Sequence, residues 1–393
     1  MHMRYIRVQR GFSLVELMVA LLLGVVLTSG VISVFITSKS SYSLNNAVGQ
    51  VQEAGRYALS TMEPIISMAG YSGCTSSVLG KKTYVNNLSG ATSEPVYNFV
   101  DPVFGFEFTG TGVGGTAKDT TSGVPVVDTT ASDWTPNISS AMQTAINPYS
   151  PVKYSDMFLV HEELGNPAVM ISPYDDGTTI SLYASTTTPP MTVGDIAVAS
   201  SCQNIEAFQI TGGTPGTPPG NGTVLHDTSG NPGNGTAWTK LFNNTGSSDT
   251  VGRAQTYLFF VGKGIDGGYS LYEASFGTGT GLLAVQEIVP GVENMQVLYG
   301  VDQFNGDPTP DNVPDAYVTA DQVTDWTGVV AVRVALVARS DDGAIDKSMT
   351  PSAATGIQML GVGFSDAMTY YPAADRRIHR YFVETMSIRN TLP

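Results

Sequence analysis

The sequence has little charge, few basic residues and almost no cysteine. Charged residues make up 13% of the 393 positions, about half of the roughly 25% usual in soluble domains, which disfavours an ordinary cytoplasmic enzyme. Lysine and arginine together number 19 against 34 acids, for a net charge of −15. Nucleic-acid binding needs a positive field, so no nucleic-acid partner is expected of the chain as a whole. The only cysteines are Cys74 and Cys202, and the only histidines are His2, His161, His226 and His379, none at ligand spacing; a zinc site is not expected. Glycine strings such as Gly110 to Gly115 lack the strand, helix and lysine of a phosphate-binding loop, so no nucleotide is expected. Serine is too abundant to single out a hydrolytic triad. No catalytic residue and no cofactor is assigned, and the chain is read as a non-enzyme.

Proline is missing from Phe12 to Glu63, which leaves room for one long helix. Its beginning is unusual. Arg4, Arg7 and Arg10 lead to Gly11, and then an apolar run extends from Phe12 to Ile36 with Glu16 as its only formal charge. A carboxylate inside hydrocarbon costs roughly 2.5 to 3.5 kcal/mol even on a lenient scale, so Glu16 needs a cation. The run exceeds the apolar core of about 7 to 15 residues in a secretory signal and meets the roughly 20 residues of a bilayer span. The arginines place the leader in the cytoplasm and the remainder outside.

The stretch Arg10-Gly11-Phe12-Ser13-Leu14-Val15-Glu16-Leu17 resembles the class III signal of type IV pilins and the related pseudopilins. That resemblance implies that a prepilin peptidase cuts between Gly11 and Phe12, that Phe12 becomes N-methylated, and that Glu16 faces the terminal amine of a neighbouring subunit during assembly. The physics is consistent: an ammonium and a carboxylate, each costly alone in lipid, neutralise one another when two helices sit in fixed stagger. Loss of residues 1–11 would remove three arginines and no acid, leaving the chain three charges more negative than −15.

Beyond the membrane, Leu44, Val48, Val51, Gly55, Ala58 and Met62 alternate four and three apart on one helical face. Asn45, Gln50, Glu53 and Arg56 lie opposite. The expected organisation is a cleaved leader at 1–11, a membrane half of the helix at 12–36, an amphipathic half at 37–64 ended or kinked by Pro64, and a β-rich head at 65–393. A helix of about 50 residues would extend roughly 75 Å, with Gly24 and Gly30 as points of local loosening.

After Tyr71-Ser72-Gly73-Cys74 the pattern changes to short strands between turn clusters. Strands are expected at Met157 to Val160, Thr256 to Val261, Met295 to Tyr299, Val329 to Ala338 and Arg380 to Ile388. The fourth of these reads as half-buried, with Val330, Val332, Val334 and Leu336 on one face and Arg333 and Val337 on the other. Segments 105–123, 212–222 and 229–235 read as loops. The fold class is α+β: a type IV pilin-like spine helix packed on an antiparallel sheet, with a large loop-rich β insertion.

Three further segments sharpen the resemblance. Residues 69–74, the run Glu293-Asn294-Met295-Gln296-Val297-Leu298-Tyr299-Gly300-Val301-Asp302, and the terminal Ser387-Ile388-Arg389-Asn390 are similar to the PilW family of minor pilins. The likeness covers both ends and thins in the middle. It implies an inner-membrane protein with a periplasmic head that primes pilus assembly, stays near the tip at the cell surface, and has as partners other minor pilins, the major pilin and a PilY-class tip adhesin. Two alternatives stay open: a J-type minor pseudopilin of a type II secretion system, or a tip module that itself binds a surface, DNA or calcium.

Other residues carry weaker expectations. Outside the membrane a single pair of cysteines favours a Cys74–Cys202 disulfide, the alternative being two buried thiols. Asp302, Asn305, Asp307, Asp311 and Asp315 offer hard oxygens for calcium. Their spacing departs from the EF-hand pattern, so a solvated hairpin loop is the plainer reading and no metal is assigned. His161, beside Glu162 and Glu163, reads as a surface strand end, and His379, between Arg377 and Arg380, as a basic edge that contacts an acidic partner or keeps the final strand soluble. Tyr257, Phe259 and Phe260 read as core. Trp134, Trp238 and Trp326 sit in polar contexts, where any exposed one would be an interface candidate.

Overall fold

The computed structural model describes residues 11–71, 83–89, 94–111, 116–118, 127, 129–183, 190–201, 204–214, 222–230, 232–235, 242, 249–278, 281–302, 311–345, 356–360, 369–372 and 374–390. Helix formation starts at Ser13, which is extended at φ −73° and ψ 145°. Its hydroxyl accepts the Glu16 amide at 3.4 Å, and the Glu16 carboxylate accepts the Ser13 amide at 3.0 Å. This capping box satisfies two backbone donors that the first turn would otherwise leave open. The helix then runs unbroken from Leu14 to Met68, 55 residues, or about 82 Å.

Neither Gly24 nor Gly30 interrupts it, and it does not end at Pro64 as the sequence suggested. A proline inside a helix costs about 3 kcal/mol. Here the turn beyond it carries Ile66, which, like Ala69 just past the helix, is fully buried, and burial of one large aliphatic side chain returns about 1.5 to 3 kcal/mol. The chain's far end adds to this: the Arg389 amide donates to the Ser67 carbonyl at 3.3 Å, and the Asn390 side-chain amide donates to the carbonyls of Ser67 and Ala69 at 3.5 and 3.3 Å. Those contacts occupy carbonyls that a helix end leaves without partners.

Residues 11–39 are exposed throughout. From Ala47 onward one face is buried, through Val51, Gly55, Ala58, Leu59, Met62 and Ile66, the spacing of an amphipathic helix on a sheet. Leu44 stays 39% exposed, so the buried face begins one turn later than its pattern suggests. The sheet beneath is four-stranded and antiparallel, in the order Ala316–Val318, Val292–Val301, Val329–Arg339, His379–Ser387. Gly55 is what lets the last strand approach: a Cβ there would overlap the ring of Phe382.

The Val329–Arg339 strand is not half-buried as its alternation implied. Val332, Val334 and Leu336 join the helix in the main core, while Ala335 and Val337 join a second cluster with Leu298, Met359, Leu360 and Tyr370 on the opposite face. Only Arg333 is less than buried in the strand. A central strand covered on both faces reads as a continuous apolar run, and Val-Val-Ala-Val-Arg-Val-Ala-Leu-Val fits that description.

A twelve-stranded sheet adjoins this unit. Its path runs Thr83–Asn86, Asn204–Gln209, Ile196–Ser200, Thr250–Lys263, Met157–Asp175, Thr179–Leu182, Gly222–Leu225, Gly212–Thr214. The far half of Thr250–Lys263 also pairs with Tyr269–Thr278, which pairs with Gly281–Pro290. Val103–Phe108 adds to Met157–Asp175 and carries Trp134–Thr135. All pairs are antiparallel except Thr83–Asn86 with Asn204–Gln209. Part of the segment read as loop, 105–123, is thus strand at Val103–Phe108 and Thr116–Lys118, and 212–222 holds a short strand at Gly212–Thr214.

The segment Tyr154 to Asp156 joins the two sheets. Asp156 accepts the amides of Phe108, at 3.1 Å, and Val297, at 3.0 Å, one from each sheet. The Tyr154 carbonyl accepts the side-chain amides of Asn294 at 2.6 Å and Gln296 at 2.9 Å. Trp326, with ring centroids 4.7 Å from Phe104 and 4.8 Å from Tyr299, fills the space between them.

Candidate functional site

Two regions stand out: the exposed first half of the helix, and a charged cluster where its second half meets the head. In the first, Phe12 is 88% exposed and precedes the capping box. Glu16 has its carboxylate turned back on the Ser13 amide, the only partner it has among the described residues. The hydroxyls of Thr28 and Thr37 donate to the carbonyls of Gly24 and Ser33, at 2.6 and 2.9 Å, so the run offers little unsatisfied polarity to an apolar surrounding. Ala20, Gly24 and Thr28, one turn apart, leave a shallow groove between Leu17, Leu21 and Ile32. Small residues in this arrangement let a second helix come close. The helix is long and apolar enough to cross a membrane.

The second region was not legible as a site. His379 lies between two carboxylates, Nδ1 at 2.8 Å from Glu293 and Nε2 at 3.2 Å from Asp375. Burial opposes its charge, but the hydrogen bonds and charges of Asp375 and Glu293 outweigh that and raise its pKa from 6.5 to about 9. Burial would raise the Asp375 carboxyl; its bonds with His379 and Arg377 instead hold it far below the usual range. Arg377 meets Asp375 at 2.8 Å, Arg339 sits 3.6 Å from Glu293, and the Arg339 guanidinium lies 4.4 Å from the centre of the Tyr269 ring. His379 is thus basic and in contact with acids, but the acids are its own chain's and it is largely buried: it ties the start of the last strand to Glu293 of a strand 86 residues earlier in the chain.

His161 is likewise misplaced by a local reading. It lies within the Met157–Asp175 strand, 1% exposed, its Nδ1 2.8 Å from the Asp101 carbonyl and its Nε2 3.0 Å from that of Pro95, and burial lowers its pKa to about 4. Neighbouring Glu163 is buried with no hydrogen-bond partner for its carboxylate among the described residues, and burial raises its pKa to about 8. Phe259 and Phe260 are fully buried, as expected. Trp134 and Trp326 are buried as well, which removes them as interface candidates, and the indole of Trp134 donates to the Ser155 carbonyl at 3.0 Å. Trp238 lies outside the described residues.

Cys74, Cys202, Asn305 and Asp307 lie outside the described residues too. Of the other calcium candidates, Asp302 accepts the Asn312 amide at 2.8 Å and Asp311 the Val313 amide at 2.9 Å, the local bonds of a turn. Among the described residues no three metal-ligating side chains cluster.

Comparison with known proteins bears on both regions. Residues 258–390 match the family model of PilW, described as type IV pilus-assembly protein W. Residues 6–32 match that of the prokaryotic N-terminal methylation motif. The first match spans the 269–290 hairpin, the four-stranded sheet and the His379 cluster; the second spans the capping box, Glu16 and the groove. No curated protein and no solved structure matches the chain.

Proposed function

We propose, from the PilW match over residues 258–390 and the N-terminal methylation motif at 6–32, that the chain is a minor pilin that primes assembly of the type IV pilus and stays at or near its tip. In this reading the leader is removed between Gly11 and Phe12, Phe12 is methylated, and residues 12–36 pass from the inner membrane into the filament core while the head faces the periplasm. The observation that carries it is the contrast along one helix: residues 11–39 are bare, mostly apolar and uncharged apart from Glu16 and Lys39, while the half from Ala47 to Ile66 is built into the head. A chain does not keep so much apolar surface uncovered unless lipid or other helices cover it.

Glu16 acts in this assembly by pairing with the terminal amine of an adjacent subunit, giving up its bond to Ser13 as it does so. A neutral pair in the apolar core removes two desolvated charges at once, so a subunit in the wrong stagger is penalised. The bulk of the head supports a place at an end of the filament, because a subunit repeated along the shaft must pack on every side. The chain works by shape and pairing, with no catalytic step, and its partners are other minor pilins, the major pilin and a tip adhesin.

Mass spectrometry of sheared filaments tests this. Trace amounts of the chain relative to the major subunit, beginning at methylated Phe12, are the expected result. Processed protein confined to the membrane would favour a J-type pseudopilin, and an intact leader on assembled protein would overturn the reading.

A further inference from the structure

Between the helix and the head lies a cleft of about 680 Å³. One wall is the helix turn carrying Glu53 and Tyr57; the other is formed by the turn at Asp266 and by Ile288, and Asp341 and Asp342 close the mouth. Tyr57, 54% exposed without a ring partner among the described residues, and half-buried Ile288 give the cleft an apolar strip within an otherwise mixed lining that includes Gln50 and Ser340. The mouth is acidic, with Glu53, Asp266, Asp341 and Asp342 all exposed.

Three of the cations nearby are held by carboxylates, while exposed Arg376 donates to the Ile345 carbonyl with its guanidinium near Gly343. Arg339 is held by Glu293 and stacked on Tyr269; Arg377 is held by Asp375 at 2.8 Å and lies 3.9 Å from Asp342; His379 is shared by Glu293 and Asp375. What the cleft shows to solvent is therefore mainly carboxylate beside the apolar strip of Tyr57 and Ile288, with Asp342 within 3.9 Å of Arg377 and Asp341 accepting the Gln50 side-chain amide at 3.4 Å. That combination suits a long side chain with an aliphatic stem and a cationic head, whose stem lies along Tyr57 and Ile288 while the head reaches the aspartates.

We propose that this cleft is the docking groove for a lysine- or arginine-bearing segment of a neighbouring, more basic pilus subunit. The proposal rests on the minor-pilin reading and names the chemistry of its partner. A second copy of the chain is a poor occupant, because at a net charge of −15 it repels itself. The cleft opens beside Glu53, 17 residues and so about 25 Å along the helix beyond Ile36, where a subunit bundled through the apolar run would bring its own head.

The test uses the full chain in its own filament-forming cells, with a photo-crosslinking amino acid at Ile288 or, as a control, at Val25 in the apolar run. Crosslinked peptides are sequenced. The expected partner of position 288 is a segment of another pilus subunit with lysine or arginine within a few residues, and Glu53→Lys with Asp341→Lys should lower that yield at least tenfold while leaving the Val25 crosslinks and the melting temperature unchanged. The inference is overturned if Val25 crosslinks to neighbours but position 288 does not, if it captures a segment without basic residues, or if charge reversal has no effect. If Val25 also captures nothing, the minor-pilin reading itself fails and the docking groove with it.

Discussion

Glu293 accepts a hydrogen bond from His379 at 2.8 Å, and through this contact the second strand of the four-stranded sheet holds the first residue of its last strand. Because the His379 pKa is raised from 6.5 to about 9 in the folded state, the fold binds this proton more tightly than the unfolded chain. The resulting stability is fully present below about pH 6.5 and is lost as pH rises through about 9. His379→Gln should lower stability by about 1 to 3 kcal/mol at pH 6. Thermal melts of the detergent-solubilised chain should show a clear gap between variant and wild type at pH 6 that closes by pH 10.

Glu163 should behave in the opposite sense to an ordinary paired carboxylate. Its folded pKa, raised to about 8 by burial, exceeds the unfolded value, so the neutral form is favoured in the fold and stability falls as pH rises from about 4.5 through 8. Each unit of such a shift corresponds to about 1.4 kcal/mol. Glu163→Gln removes the titration. It should raise the melting temperature at pH 8 and change it little at pH 4.5; equal effects at both would refute a role for ionisation.

At Gly55 the issue is space. An added methyl would meet the Phe382 ring, so Gly55→Leu should cost about 1 to 3 kcal/mol through overpacking, with backbone shift between helix and last strand. Hydrogen exchange should rise first at 380–387, ahead of the twelve-stranded sheet.

Glu16 lies outside the head, so Glu16→Ala should separate assembly from folding. The loss of a capping box costs the helix end about 1 kcal/mol, and the head should melt as wild type. Incorporation into sheared filaments, measured against the major subunit, should fall by more than tenfold; unchanged incorporation would remove the proposed pairing with a neighbour's amine.

Local chemistry wrote some of this structure plainly. The 3.6-residue face from Val51 to Met62 and the apolar strands at 295–299 and 329–338 follow from neighbours in sequence, whereas the capping bond of Glu16 to Ser13 is hidden behind its reading as a carboxylate in search of a cation. What else stayed hidden depends on distant partners. His379 reads as basic because Arg377 and Arg380 flank it, and it is basic, but because Glu293 and Asp375 hold its proton. His161 looked exposed beside two glutamates, one of which is itself buried. Val103–Phe108 was masked by Gly105, a residue that suggests a turn until one sees that the Tyr299 side chain occupies the place of its Cβ. The covering of Val329–Arg339 on its second face comes from Met359, Leu360 and Tyr370, which no periodicity within the strand could announce.

The closing contacts of Arg389 and Asn390 on Ser67 and Ala69 have a mechanical meaning. The chain leaves the helix just after Met68 and comes back to the same turn some 320 residues later, so the head is a loop fastened at both ends to one point of its stalk. A tug on the head therefore reaches the helix through the continuous chain at one end of the loop, through the hydrogen bonds of Arg389 and Asn390 at the other, and through the packed face from Ala47 to Ile66, so loss of the Arg389 and Asn390 contacts alone leaves the head attached.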